Sequence, residues 1–181
     1  ELARAVAAAG LPLSAAPGPC AAICALTLSG LPSDRFLFAG FAPAAKGARR
    51  QFLAGLAQTP ATLILYESPK RLAALLSDMA ETLGATRRSV ICRELTKRFE
   101  EVMRGSLEEL AAQVASREIK GEIVVLVDRA APVEASEDSI GAALDQALKT
   151  MSVKDAASFV SQTLGVSRKI AYRIALDRSQ G

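Results

Sequence analysis

The sequence predicts an α/β protein, with a mixed β-sheet flanked by helices and a small all-helical, helix-turn-helix-like tail. Three observations support this prediction. Short apolar runs alternate with helix-forming stretches through residue 128. The run Ile123–Val127 is apolar throughout and mostly β-branched, as is typical of a buried central strand. Beyond residue 138 the sequence indicates only short helices, and basic residues become frequent.

The composition excludes several classes of chemistry. Half of the 181 residues are hydrophobic, only 4% are aromatic, and the net charge is +3. Because histidine is absent, histidine-based acid–base catalysis, Ser-His-Asp triads and histidine-bound metals are excluded. The three cysteines form no metal-binding or disulfide pattern, and no apolar run is long enough to span a membrane. We therefore expect a cytoplasmic protein with no metal and no membrane contact.

The chain opens inside an apparent helix over residues 1–9 and does not begin with methionine, so we expect a fragment of a longer protein. A Pro-Gly-Pro turn then precedes a small-residue helix from Cys20 to about Ser29, which should end at Gly30. The helix start after this turn is suited to cradling a ligand. A linker followed by a packed helix is the plainer interpretation.

The next element is a strand over Arg35–Phe41, followed by a basic loop that runs into a helix ending near Ala57. The loop carries Lys46, Arg49 and Arg50. Such a run is usually a solvated face, but its position between a strand end and a helix start also allows contact with a polyanion. We therefore include these three residues among the candidates for RNA binding.

The stretch from Thr62 to Leu72 is the one around which the site is predicted. Its first half is a buried strand with Tyr66 and Glu67 at its carboxyl end, and the second half starts a helix that runs to about Leu83. Ser68 is a residue of the N-cap type, and the following proline suits the first helical position. Ligands bind at the carboxyl ends of strands in open α/β sheets, so we place the centre of a site at Glu67.

The remaining elements of the α/β part alternate in the same way. Ser106 and Glu109 form a capping-box pattern that opens a helix to about Ser116. The strands on either side of it are predicted over Arg88–Cys92, over Phe99–Arg104 with a turn at Gly105, and over Lys120–Asp128. The first two of these strands form a hairpin-like pair, which makes the sheet mixed.

The tail follows a linker predicted over residues 129–138. Three short helices are predicted over 139–149, 152–163 and 167–176, and Leu164-Gly165-Val166 resembles the turn of a helix-turn-helix. Six basic and two acidic residues lie from Lys149 to the end of the chain. A solvated helical face and contact with a phosphate backbone both explain this charge. The candidate RNA-binding residues of the tail are Arg168, Lys169 and Arg173.

Five short segments of the chain occur in an order that matches a known family. They are Ala16-Pro-Gly-Pro-Cys-Ala-Ala22, Gly30-Leu-Pro-Ser-Asp-Arg-Phe36, Leu63-Ile-Leu-Tyr-Glu-Ser68, Arg93-Glu-Leu-Thr-Lys97 with Glu100-Glu101, and Lys120-Gly-Glu-Ile-Val-Val125. In this order and spacing they resemble the tetrapyrrole-methylase superfamily, and within it the branch that methylates ribosomal RNA. The resemblance covers residues 1–128 nearly continuously, and the tail resembles that branch's C-terminal domain.

The resemblance implies an enzyme that transfers a methyl group from S-adenosylmethionine to the 2′-O ribose of a cytidine in small-subunit ribosomal RNA. The substrate would be that RNA or the small (30S) ribosomal subunit, and the enzyme would be a homodimer. The family has two α/β lobes with the cofactor between them. The resemblance assigns residues 1–30 to the end of the first lobe and the connection, 31–129 to the second lobe and 139–181 to a small helical domain. We expect this chain to be inactive by itself.

Carried over position by position, the resemblance also implies site residues. Those on the cofactor side are Cys20, Ala21, Tyr66, Glu67, Leu95, Gly121 and Glu122. Tetrapyrrole enzymes commonly have methionine where this chain has Glu67, and the glutamate fits the ribosomal branch. Methyl transfer to a hydroxyl needs a base. The candidates for it are Glu67, Glu94, Lys97, Glu100 and Glu122, or a residue of the first lobe.

Two alternatives to the RNA methyltransferase stay open at this stage. The chain resembles the second lobe of a tetrapyrrole methyltransferase as well, although the basic tail and Glu67 favour the ribosomal branch. It is also compatible with a non-catalytic RNA-binding or interaction module, in which case RNA would bind with a steep salt dependence and the cofactor would have no effect.

Overall fold

The protein divides into two compact units, residues 1–130 and 131–181. The computed structural model describes residues 1–131 and 136–179. The first unit contains α1 (Leu2–Ala8), α2 (Ala21–Ser29), β1 (Phe36–Phe41), α3 (Lys46–Leu56), β2 (Thr62–Glu67), α4 (Pro69–Leu83), β3 (Arg88–Arg93), β4 (Glu101–Ser106), α5 (Leu107–Ala115) and β5 (Ile123–Val127). The second unit contains α6 (Glu137–Ala147), α7 (Val153–Leu164) and α8 (Arg168–Ser179).

The first unit is built on one five-stranded sheet in the order β1-β2-β5-β3-β4. Strands β1 and β2 are parallel, and every other neighbouring pair is antiparallel. The predicted mixed sheet and the hairpin-like pair of β3 and β4 are therefore confirmed. Because β5 runs against β2, the start of β5 lies beside the end of β2, where Glu67 pairs with Ile123.

The two faces of the sheet are covered unequally. Helices α3, α4 and α5 pack on one face, and their leucines form the larger core with the inward side chains of β2, β3 and β5. Helix α2 packs on the other face, where Ala25 and Leu26 contact a smaller core that contains Ile64 and Leu126. Alternation along each strand supplies both cores, since successive side chains point to opposite faces.

Local capping explains where several of these helices begin and end. Gly30 adopts a left-handed conformation (φ 71°) and ends α2 as predicted, because a glycine carries no Cβ to oppose that conformation. The Ser106 hydroxyl accepts a hydrogen bond from the Glu109 amide at 3.2 Å, and the Glu109 carboxylate accepts one from the Ser106 amide at 2.8 Å. The predicted capping box of α5 is therefore confirmed.

Several predicted boundaries were wrong, among them the start of β5, which is Ile123 and not Lys120, and two of them have a clear local cause. Strand β4 begins at Glu101 and includes Gly105, which pairs with Ser89 instead of forming a turn. The strand does not start at Phe99 as predicted, because the amide of Glu100 donates to the carbonyl of Lys97 at 3.1 Å. Phe99 and Glu100 therefore belong to a turn that precedes the strand.

The second wrong boundary is the start of α6, predicted at Ser139. The helix begins at Glu137 because the Ser136 hydroxyl accepts a hydrogen bond from the Ser139 amide at 3.2 Å and acts as the cap. The predicted linker therefore ends before this helix, and its residues 132–135 lie outside the described residues.

The second unit is a three-helix arrangement with its own core. That core is formed by Ile140, Leu144 and Val160 together with five buried alanines. Ser152 caps α7, and Gly165 ends it in a left-handed conformation (φ 66°). The short connection from α7 to α8 agrees with the predicted helix-turn-helix-like pattern. Within the described ranges, no helix is long and apolar enough to cross a membrane.

Candidate functional site

A cavity of about 530 Å³ lies at the edge of the sheet where β2 ends. Its walls come from the start of α2, the ends of β1 and β2, the start of α4, the loop after β3 and the start of β5. The lining residues are Ala21, Phe41, Tyr66, Glu67, Ser68, Pro69, Leu95, Gly121, Glu122, Ile123 and Val124. The cavity lies wholly within the first unit.

Strand direction explains why these segments meet. Tyr66 pairs with Val124 across the β2–β5 ladder, and Arg93 pairs with Ile123 across the β3–β5 ladder. The end of β2, the end of β3 and the start of β5 therefore share one edge of the sheet. Helices α2 and α4 both begin at this edge, so the positive ends of two helix dipoles lie beside the cavity.

Tyr66 connects the sheet to the start of α2. Its hydroxyl accepts a hydrogen bond from the Ala22 amide at 3.1 Å, which satisfies one of the free donors at the helix start. Its ring packs edge-on against Phe38, with centroids 4.8 Å apart, and against Phe41, at 5.8 Å. These aromatic rings therefore form an apolar surface beside the cavity on the side of β1.

The carboxylate of Glu67 is engaged within the protein. Glu67 is 4% exposed, and its Oε1 accepts a hydrogen bond from the Ser68 amide at 2.8 Å. Its Oε2 lies 3.3 Å from a guanidinium nitrogen of Arg71, a charge contact without hydrogen-bond geometry. The same nitrogen of Arg71 donates to the carbonyl of Ala42. This network joins the end of β1, the end of β2 and the start of α4.

A charged cluster adjoins the cavity wall that Leu95, Gly121 and Glu122 form. The Glu94 carboxylate accepts hydrogen bonds from the Glu122 amide at 2.8 Å and from the Lys97 ammonium at 3.0 Å. Lys97 also lies 3.1 Å from the Glu122 carboxylate. The backbone hydrogen bond and that from Lys97 lower the pKa of Glu94, whereas the bonds to Glu94 and Glu122 raise the pKa of Lys97. The raised pKa of Lys97 favours its cationic form.

The structure brings together most of the residues predicted on the cofactor side. All of them line the cavity except Cys20, which is exposed at the N-cap of α2, one residue before Ala21. Among the predicted base candidates, Glu67 and Glu122 line the cavity. Glu94 and Lys97 belong to the adjoining charged cluster, and the Glu100 carboxylate accepts a hydrogen bond from the Thr96 amide at 2.7 Å.

The predicted RNA-binding residues fall into two groups. Lys46, Arg168 and Lys169 are exposed, and Arg173 is an exposed residue paired with Glu137 at 3.0 Å. The other two, Arg49 and Arg50, both bind Asp78 on α4. Arg49 is only 6% exposed, so its contacts are those of an internal ion pair between helices.

Sequence reasoning missed part of the cavity lining. Ser68 and Pro69 were recognised only as helix-start residues, and Phe41 only as the end of a strand. Phe41 pairs with Tyr66 across the parallel strands β1 and β2. The sequence indicates this long-range contact only if the two strands are known to be parallel neighbours. Arg71 was missed as the partner of Glu67, although its i+4 spacing at the start of a helix is a usable signal.

Comparison with known proteins identifies the class. The family model described as Tetrapyrrole (Corrin/Porphyrin) Methylases matches residues 1–111. The chain therefore belongs to the tetrapyrrole methylase family, as the resemblance predicted. A second family model, described as the RsmI C-terminal HTH domain, matches residues 134–179.

Comparison with curated proteins identifies similar sequences that carry one protein name. The chain is 44% identical over 174 residues to a protein of Xylella fastidiosa named ribosomal RNA small subunit methyltransferase I, covering 94% of this chain and 64% of that protein. Proteins of the same name from Pseudomonas aeruginosa and Mycobacterium tuberculosis are 43% and 47% identical, covering 98% and 84% of this chain and 65% and 53% of theirs. The chain thus spans about two thirds or less of the length of these relatives.

Solved structures agree with the fold. The methyltransferase CobJ aligns with a TM-score of 0.53 at 20% identity, covering 72% of this chain and 58% of that one. Cobalt precorrin-4 methyltransferase, a cobalamin biosynthetic enzyme, aligns with a TM-score of 0.51 at 14% identity, covering 70% and 56%. At these identities the likeness concerns the fold alone, and it supports the predicted mixed α/β architecture.

Proposed function

We propose that this chain is part of an S-adenosylmethionine-dependent methyltransferase that methylates the 2′-O ribose of a cytidine in small-subunit ribosomal RNA. The observation that carries the proposal is the cavity at the carboxyl edge of β2, whose lining includes six of the residues expected on the cofactor side. The names of the curated relatives support the RNA as substrate. Such an enzyme would act in the bacterial cytoplasm.

The cavity fits a nucleoside cofactor in size and in lining. Its volume of about 530 Å³ lies within the usual range of small-molecule sites, and its lining combines apolar side chains with the polar Glu67, Ser68 and Glu122. Ala21 and Gly121 allow close approach to the backbone, while Tyr66, Leu95 and Val124 supply apolar contact. The cofactor, when bound, supplies an electrophilic methyl group. The chain's own contribution is to bind and orient the reactants.

We infer that Glu122 is the carboxylate of this chain that receives the proton of the ribose hydroxyl. It lines the cavity, and its side chain is 85% exposed, so a substrate hydroxyl can reach it. Glu67 is buried in its pair with Arg71, and Glu94 already accepts two hydrogen bonds. Lys97, whose ammonium lies 3.1 Å from the Glu122 carboxylate, would keep that carboxylate in place.

The helical unit is proposed to contribute the RNA contacts. Arg168 and Lys169 are exposed in the first turn of α8, which is the second helix of the helix-turn-helix-like pair. Tyr172 and Arg173, one turn further along, are exposed as well. Basic and aromatic side chains on one helix suit phosphate contact together with base stacking. Lys46 in the first unit is a further candidate.

The homodimer implied by the family is part of the same proposal. Phe36, Phe38 and Phe41 of β1 are exposed, and exposed apolar patches of this kind favour contact with another protein surface. A molar mass measured by light scattering would distinguish a dimer from a monomer.

The proposal is tested by titrating S-adenosylhomocysteine into the 181-residue chain and into the longest protein that its reading frame encodes. We expect the longer protein to bind, and the 181-residue chain to bind weakly, because the family's cofactor cleft lies between two lobes. The longer protein should also transfer labelled methyl groups to 30S subunits that lack the modification. Absence of cofactor binding to both forms would refute the methyltransferase proposal and favour a non-catalytic RNA-binding module.

A tetrapyrrole methyltransferase is the second candidate, because the family model and the solved structures include enzymes of corrin chemistry. The basic helix-turn-helix-like unit favours RNA over a tetrapyrrole. An absorbance change on addition of a uroporphyrinoid, together with no methylation of 30S subunits, would reverse this preference.

A further inference from the structure

Two chain segments that are distant in sequence form one wall of the cavity. Leu95 comes from the loop after β3, and Gly121 and Glu122 come from the approach to β5. Glu94 does not itself line the cavity. It precedes Leu95 in the first segment and forms hydrogen bonds with Glu122 in the second. The shape of this wall therefore depends on how Glu94 holds them together.

Backbone and side-chain bonds of Glu94 both reach Glu122. The Glu94 amide donates to the Glu122 carbonyl at 2.9 Å, and the Glu94 Oε1 accepts from the Glu122 amide at 2.8 Å. Lys97 closes the cluster by contacting the same Oε1 at 3.0 Å and the Glu122 carboxylate at 3.1 Å. A carboxylate that accepts a hydrogen bond from a backbone amide makes one of the stronger contacts available to a loop.

The loop that these contacts hold is in an unfavourable conformation. Glu94 has φ 51° and Thr96 has φ 64°, and both are residues that rarely occupy the left-handed region. A β-branched residue such as threonine is especially disfavoured there. Conformations of this kind persist only when the surroundings hold them, and they concentrate at functional sites. Together with the bond from the Glu94 amide, the side-chain bonds of Glu94 fix this loop to the neighbouring segment.

Gly121 leaves the room that Glu94 needs. A Cβ at this position would lie 2.5 Å from both Cγ and Cδ of Glu94, well inside contact distance. The glycine also has φ 95°, which side-chain-bearing residues rarely adopt. Any side chain at residue 121 would thus displace the Glu94 carboxylate from the Glu122 amide.

We infer that Glu94 is a positioning residue for the cofactor: its carboxylate holds the Leu95 loop against Gly121 and Glu122, and thereby sets the width of the cavity at this wall. The inference rests on the proposed function, since it concerns the same cavity. Glu94 acts through Leu95 and Glu122, which line the cavity, and it is assigned no contact with the reacting atoms.

The first test compares Glu94→Ala with Glu94→Gln in the longest protein of the reading frame, with S-adenosylhomocysteine as the titrant. Glu94→Ala should raise the dissociation constant about tenfold, because the Glu122 amide loses its acceptor. Glu94→Gln should stay within about threefold, since the amide oxygen still accepts that bond and only an exposed ion pair with Lys97 is lost. Glu118→Ala, which removes a glutamate paired with Lys120 outside the cavity, is the matched control and should change nothing.

The second test uses the contact between residues 94 and 121. Gly121→Ala should weaken S-adenosylhomocysteine binding at least as much as Glu94→Ala, because it displaces the Glu94 carboxylate from the Glu122 amide and also adds a methyl group at the cavity wall. The double variant Glu94→Ala/Gly121→Ala should then bind no worse than Gly121→Ala alone. Additive losses, on the order of a hundredfold for the double variant, would overturn the inference.

Melting temperatures and far-UV circular dichroism of every variant separate this positioning role from general loss of structure. An unchanged affinity in Glu94→Ala, or equal losses in Glu94→Ala and Glu94→Gln, would also refute the inference while leaving the proposed function intact. If the unmodified protein binds no S-adenosylhomocysteine, the proposed function itself fails, and this outcome is distinct from the others.

Discussion

At the scale of single residues, the carboxylates around the cavity have different surroundings although the sequence presents them alike. Glu67 is buried against Arg71 and the Ser68 amide, Glu94 supports the wall, and Glu122 is open to solvent at the cavity. Because a base must reach the proton that it removes, exposure at the cavity separates Glu122 from the other two.

The proposed role of Glu122 predicts a separation of kinetic effects. Glu122→Gln should lower kcat for 30S methylation about a hundredfold, because an amide cannot accept the proton. The dissociation constant of S-adenosylhomocysteine should stay within about twofold, since the shape of the side chain is kept. Steady-state kinetics and calorimetry measure the two quantities, and Glu118→Gln is the control. A variant with full kcat would show that the base is another group.

At the scale of secondary-structure elements, a buried ion pair joins α3 to α4. Asp78 accepts hydrogen bonds from Arg49 at 2.7 Å and from Arg50 at 2.9 Å, and both Asp78 and Arg49 are buried. Burial raises the pKa of Asp78, but the bonds from Arg50 and Arg49 more than offset this effect, so the pKa falls below its ordinary value of 3.8. The pair holds together two of the helices that cover the larger core.

Asp78→Asn should therefore destabilise the protein by about 3 kcal/mol, because it leaves the buried charge of Arg49 without its partner. A lowered pKa in the folded state means that this stabilisation is present above the ordinary pKa and is lost as the pH falls below about 4. Urea unfolding at a series of pH values measures both effects. Asp34→Asn removes an exposed pair with Arg129 and should cost less. An equal cost for both variants would contradict the assignment.

At the scale of the whole molecule, the cavity and the helix-turn-helix-like helices belong to different compact units. All of the cavity lining comes from residues 1–130, whereas Arg168, Lys169 and Arg173 lie in the second unit. Each unit has its own hydrophobic core. Cofactor binding and RNA binding should therefore be separable.

Ending the chain at Ala130 should leave the affinity for S-adenosylhomocysteine unchanged within about twofold, because additivity is expected for independent sites. The same truncation should weaken binding to 30S subunits and reduce its salt dependence, since phosphate contacts by basic residues are lost. Calorimetry and filter binding at several salt concentrations measure these effects in the longest protein of the reading frame. A truncated protein that binds 30S subunits as before would exclude the tail as the RNA-binding surface.

The sequence by itself determined most of the elements and the mixed sheet, and it predicted a site at the end of β2, where the structure has a cavity. These follow from local patterns: apolar runs, Ser68 and Pro69 at a helix start, and the capping box of α5. The resemblance to the family added Leu95, Gly121 and Glu122 to the residues predicted at this site. All of these signals are contained within a few residues of the chain, or in their order along it.

Only the tertiary structure decided which charged residues bind one another. Arg49 and Asp78 are 29 residues apart, and Glu94 and Glu122 are 28 residues apart. Nothing in their local sequence distinguishes an internal ion pair from a solvated or RNA-binding charge. Their roles depend on strand order and helix packing, which bring distant segments together. For Arg49 and Asp78 they also depend on burial, which makes a contact specific once both partners leave water.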